Sequence, residues 1–166
     1  YNSKKLSDTQ KITQKIAIFA TENSINSFEN FRYHSYPFNQ ISGNHLGLVE
    51  FMTDTHPIRN LREATDYIKR VKLFDESLNS DLTWLEDQKK LGIFAPEYVF
   101  DHVIQQLKEL IGYEDADNPL MQVFVRKIGE LDLDQQKKEE LANELSAVIK
   151  SDVKPGYKSV LGFMES

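Results

Sequence analysis

The stretch NLREATDYIKRVKLFDESLNSDLTWLEDQKKLG, residues 60–92, decides the fold class. Apolar side chains recur at the spacing of one helical face. Leu61, Ala64, Ile68 and Val71 form one stripe, and Phe74, Leu78, Leu82 and Leu85 form a second. Charged residues fill the positions between them, as on a helix with one face turned to a core. The two stripes are out of register near Lys72, which predicts a kink or short break there. Asn60-Leu61-Arg62-Glu63 reads as a capping box at the start, and Gly92 as a C-terminal stop.

The same pattern extends both ways. Ser7-Asp8-Thr9-Gln10 is another capping box, followed by Ile12, Ile16 and Phe19 and then, with a shift, Ile25, Phe28 and Phe31. A short helix is expected over 46–52, closed by His56-Pro57. Ala95-Pro96-Glu97 opens a helix that runs to Gly112, with proline at its first position. Asn118-Pro119 opens another, reaching about Leu131. A further helix is expected over 135–152, broken or kinked at Pro155-Gly156, with a last helix from Tyr157 to Met164. The one strand-like run, Gln122 to Val125, lies inside a helical pattern. The expectation is an all-α fold, a bundle or orthogonal array of about six to eight helices in one domain over 1–166, with one ordered aromatic and polar loop at about 32–47.

Composition narrows the function. The 166 residues carry a formal charge of −6, which gives no electrostatic footprint for nucleic acid and disfavours an anionic membrane surface. With no cysteine there is no disulfide framework, thiolate metal site or cysteine nucleophile. No apolar run approaches the length of a membrane span. No H-E-x-x-H motif, phosphate-binding glycine loop or G-x-S-x-G elbow is present. Catalytic and metal-ligating residues are therefore expected to be absent from this chain. His34, His45 and His56 lie in or near the loop and offer a three-histidine metal site as one reading; the reading preferred for them is hydrogen-bonded structural groups. Glu63, Asp66, Asp75 and Glu76 read as a solvated face, Tyr67 and Trp84 as core.

The loop FRYHSYPFNQISGNHLG, residues 31–47, admits two readings. In one, Tyr33, Tyr36 and Phe38 anchor a connection across helix ends. Asn39, Gln40 and Asn44 satisfy backbone groups, while Gly43 and Gly47 allow tight geometry. In the other, the loop lines a ligand cleft, with Tyr36, Asn39, Gln40, Gly43 and His45 as candidate substrate-binding residues.

The order of six short motifs adds a resemblance. They are Y-P-F-N-Q-I-S-G (36–43), F-M-T-D-T-H-P (51–57), E-A-T-D-Y-I-K-R-V (63–71), L-G-I-F-A-P-E-Y-V (91–99), N-P-L-M-Q-V-F (118–124) and V-K-P-G-Y-K-S-V-L (153–161). Together they resemble an internal segment of the bacterial "domain of unknown function 885" family. Pro155-Gly156-Tyr157 stands where that family often has P-A-Y. The family's members are longer chains, often lipoproteins or secreted proteins, similar to zinc metallopeptidases of the H-E-x-x-H type. The resemblance implies that this chain is an excised helical subdomain, lacking an N-terminal segment and the C-terminal catalytic part. It would be non-catalytic, one wall of a substrate cleft, packed against the missing parts of its own chain. Zinc and a peptide-like substrate would belong to the whole protein, hydrolysis would use a metal-activated water with a glutamate base, and the location would be the bacterial envelope, periplasmic or lipid-anchored. The alternative is a free-standing helical binding module that uses the 31–47 loop.

Overall fold

A computed structural model describes residues 6–166. It is all-α: eight α-helices and no strand among the described residues. They are α1 (Asp8–Phe31), α2 (Asn44–Glu50), α3 (Leu61–Lys72), α4 (Phe74–Lys90), α5 (Glu97–Gly112), α6 (Pro119–Gly129), α7 (Gln135–Val148) and α8 (Lys154–Met164). The chain divides into two compact units between Ser35 and Tyr36.

The first unit is α1 and a 3-10 turn, Arg32–His34. Its expected capping box is formed, with Ser7 Oγ accepting from Gln10 N–H and Gln10 Oε1 accepting from Ser7 N–H. No residue of α1 is buried. Ile12, Ile16, Phe19, Ile25, Phe28 and Phe31 are 53–67% exposed.

The second unit holds the core. In α3, Ala64, Tyr67, Ile68 and Val71 are buried, and in α4 Phe74, Leu78 and Leu85. The break expected near Lys72 falls at Leu73, whose φ/ψ of −83°/2° leaves the helical region. Asn60 caps α3 as expected, its Oδ1 accepting from Glu63 N–H. The other half of the box is formed differently: the Glu63 carboxylate turns to the backbone N–H and guanidinium of Arg59. Gly92, at φ +70°, closes α4, and Ile93 N–H donates back to Gln88 O at 3.0 Å. That is the left-handed turn in which glycine carries no Cβ penalty. Pro96 caps α5 from just outside, and the helix begins at Glu97, one residue later than the proline signal suggests.

Tyr67 and Phe124, both fully buried, meet with ring centroids 5.0 Å apart, and Tyr67 Oη donates to Leu120 O. Burying one such side chain contributes roughly 1.5–3 kcal/mol. The strand-like run at 122–125 is part of α6, because Asn118 and Pro119 start a helix whose apolar stripe it continues.

Two π turns, Phe51–Thr55 and Ile149–Val153, were not foreseen in the sequence. Each closes with a five-residue hydrogen bond, His56 N–H to Phe51 O in the first and Lys154 N–H to Ile149 O in the second. Each stands two residues before a proline, and the sequences F-M-T-D-T-H-P and I-K-S-D-V-K-P share one pattern. A proline ring clashes with the carbonyl four residues back. Widening the preceding turn relieves that clash. At Pro57 the chain then leaves the helix. At Pro155 it does not: of the break or kink expected at Pro155-Gly156 there is no break, and α7 passes through the π turn into α8.

Lys127 on α6 closes the first π turn, donating from Nζ to Thr53 O at 3.0 Å and His56 O at 2.8 Å. At the second, Gly156 brings α8 against α4. A Cβ there would stand 3.0 Å from Asp75 Cα and 3.2 Å from Leu78 Cδ1. The larger, β-branched side chain of Gly156→Val is expected to lower stability by about 2 kcal/mol, measured by urea unfolding. An unchanged midpoint would mean that the two helices are not in close contact. No helix among the described residues is long and apolar enough to cross a membrane.

Candidate functional site

The segment 36–47 is folded into a knot and tied to three helices. Asn39 organises its turn: Oδ1 accepts from Ile41 N–H at 3.0 Å and Ser42 N–H at 2.8 Å, and Nδ2 donates to Tyr36 O. Two backbone bonds close the knot, Gly43 N–H to Asn39 O and Asn44 N–H to Pro37 O. Gly43 is required by space rather than by backbone angle, since its φ is −63°. A Cβ there would stand 2.6 Å from Asn39 N, Asn39 O and His45 Cε1.

His45, fully buried, is the hub. Gln106 on α5 donates from Nε2 to Gln40 O at 3.1 Å, and this bond orients its amide. The amide oxygen then faces His45 Nε2 at 2.9 Å. That nitrogen therefore carries the hydrogen, and Nδ1 is a buried lone pair without a partner among the described residues. Tyr157 on α8, buried, donates from Oη to His45 O at 2.9 Å. Asn44 reaches α4, where its Nδ2 donates to Ser77 Oγ and Asp81 Oδ2. Phe38, buried, packs its ring against His45 at 5.8 Å.

Electrostatics follow from this burial. Desolvation pulls the proton affinity of His45 below its ordinary value, partly countered by Gln106. His56, also buried, is pulled down by desolvation and then by the charge of Arg70. Burial raises Asp81 above the usual carboxylate value, against the pull of Asn44.

Of the five candidate residues, Asn39, Gln40, Gly43 and His45 come together inside the knot. Tyr36 meets them through its carbonyl alone, and its side chain is engaged elsewhere. Its Oη donates to Phe94 O at 3.0 Å, and its ring lines an apolar cavity of about 160 Å3 with Leu85, Ile93, Phe94, Ala95, Phe100 and Phe163. Sequence reasoning missed Gln106 and Tyr157. They lie 66 and 112 residues from their partners, and nothing local marks them.

A second cluster has the outline of a Ser–Lys dyad. Ser146 Oγ on α7 and Lys150 Nζ in the second π turn are 3.0 Å apart, and both donate to Asp115 Oδ2. A lysine base needs desolvation. Lys150 is exposed and ion-paired with Asp115 at 2.7 Å, so the cluster is a clasp for the acidic connection at 113–117. Among the described residues no group of three or more His, Cys, Asp or Glu is placed to hold a metal ion. The zinc implied by the resemblance therefore has no fitting site on them.

These features define a helical scaffold that displays one pinned aromatic and polar segment beside an apolar cavity. The whole chain, residues 1–166, matches the family described as "Bacterial protein of unknown function (DUF885)", and it belongs to that family. Its fold is similar to the crystal structure of "the putative lipoprotein from Colwellia psychrerythraea", with a TM-score of 0.76 and 26% identity over 78% of this chain. The match spans 22% of that protein's length. No curated protein matches the chain.

Proposed function

We propose that this chain is a non-catalytic helical part of a larger bacterial envelope protein that hydrolyses peptides with a zinc ion, and that the 36–47 segment forms one wall of its substrate cleft. One observation carries the reading: a segment tied to α4, α5 and α8 begins with Tyr36, whose ring lines an apolar cavity and whose hydroxyl is bonded to Phe94 O. Aromatic and polar side chains displayed on a fixed scaffold suit recognition of an extended chain. The short span of this chain against its Colwellia neighbour supports a part of something larger, and the lipoprotein description of that neighbour supports the envelope. The peptidase chemistry comes from the resemblance, and its metal and base belong to sequence outside this chain.

The test is hydrolysis of a casein-derived peptide library by the full-length protein and by this chain alone. The full-length protein is expected to cleave and to lose activity with a zinc chelator, and this chain alone is expected to be inert. Cleavage by this chain that survives the chelator would overturn the reading.

A further inference from the structure

A cation and four aromatic rings meet at the cavity beside Tyr36. Tyr36, Phe94, Phe100 and Phe163 are among the residues that line it, Gln88 and Ser166 add polar groups, and its volume is about 160 Å3. Size restricts the occupant. An engineered apolar cavity of about 150 Å3 takes benzene, so this one holds a single six-membered ring and is far too small for a long acyl chain. The Tyr36 hydroxyl is committed to Phe94 O, which leaves the ring as the surface offered to a ligand.

Charge restricts it further. Lys89 also lines the cavity, with Nζ 5.4 Å from the centroid of the Phe163 ring. Two of the acids near it are taken by other cations: Asp87 pairs with Lys90 at 3.0 Å and Glu165 with Lys108 at 2.8 Å. Among the described residues Lys89 makes no ion pair, and its Nζ lies over the Phe163 ring.

We propose that this cavity is a binding subsite for one aromatic ring whose nearby carboxylate pairs with Lys89, the combination presented by the C-terminal aromatic residue of a peptide. The ring-and-carboxylate chemistry stands on the cavity, and only its assignment to a peptide end rests on the function proposed above. The cavity takes the ring by apolar burial and edge-on aromatic contact. Lys89 then selects a free carboxylate over an amide at the same position. An exposed ion pair is a modest interaction, so the selection is severalfold rather than absolute.

The experiment is a titration of the full-length protein with N-acetyl-L-phenylalanine, followed by NMR shifts or calorimetry. N-acetyl-L-phenylalanine amide and N-acetylglycine are the comparison ligands. Saturable binding is expected for the acid, about fivefold weaker binding for the amide, and none for N-acetylglycine. Lys89→Met should weaken the acid about fivefold and leave the amide unchanged. Ala95→Leu, which fills the cavity, should abolish binding of both while circular dichroism shows the helices intact. Should Ala95→Leu not fold, shift changes confined to Leu85, Phe94 and Phe100 in the unsubstituted protein test the same point. Equal affinity for acid and amide, or no saturation by a folded protein, overturns the proposal. Peptide cleavage without N-acetyl-L-phenylalanine binding overturns this subsite alone. Binding without any cleavage supports the subsite and counts against the peptidase.

Discussion

Gly43→Ala is expected to lower the stability of the protein by about 3 kcal/mol. The added methyl would meet backbone atoms on one side and the His45 ring on the other, all at 2.6 Å. A flexible side chain could swing aside from such a contact. Here two of the three neighbours are Asn39 main-chain atoms, fixed by the Asn39 turn and by the Gly43 N–H bond to Asn39 O. The third is a buried imidazole held by Gln106 on one side and Phe38 on the other. Relief therefore means moving the knot as a whole. That strains the ties from Gln106 to Gln40 O and from Tyr157 to His45 O. The fall in melting temperature should be roughly 6–12 °C for a chain of this size, read by calorimetry. A fall under about 1 °C would mean that the segment is loose.

Acid is the second large effect. His45 and His56 are buried with their proton affinities depressed by desolvation, so the fold holds both neutral. In the unfolded chain each takes up a proton at about pH 6.5. Their contribution is therefore fully present above about pH 6.5. It is lost as pH falls below that value, at up to about 1.4 kcal/mol per pH unit for each histidine, until the folded-state value is reached. Arg70 and Lys127 reinforce this at His56, and Glu63 opposes it. The carboxylates of Glu63 and Asp115 are held low by Arg59 and by Lys150, so their contributions are lost only further down, in the carboxylate range. Asp81, raised by burial, works the other way there. Urea midpoints from pH 7.5 to pH 5 should fall steeply for the natural protein. For His45→Gln, which keeps a donor toward Gln106 and cannot titrate, the slope should be about half. Parallel curves would mean that His45 is solvated.

Helices were legible because their signals are local. Asn60, Asn118 and Ser7 each accept a backbone hydrogen bond where the sequence placed a cap. The out-of-register stripes in α3 and α4 mark a real break at Leu73. The π turns were not legible, because a π turn uses the side-chain pattern of the helix it interrupts. Only the recurring proline two residues later betrays them. In the 36–47 segment, the residue types pointed to order, and Asn39 and Gly43 supply it as the turn chemistry suggests. What the sequence could not convey is which helices receive it. Those partners, Gln106 and Tyr157, are brought in by tertiary packing alone. The same limit applied to α1, whose apolar face was readable while the exposure of that face was not.

The most direct test is the effect of Tyr36→Ala on peptide hydrolysis by the full-length protein, with Tyr36→Phe as the conservative control. A wall that positions substrate, without touching the reacting bond, predicts KM raised about tenfold and kcat little changed, a loss of uniform binding. Tyr36→Phe keeps the ring and should stay close to the natural KM. Unchanged KM in Tyr36→Ala would contradict the account, and so would a collapse of kcat at constant KM, which would put Tyr36 in the chemistry.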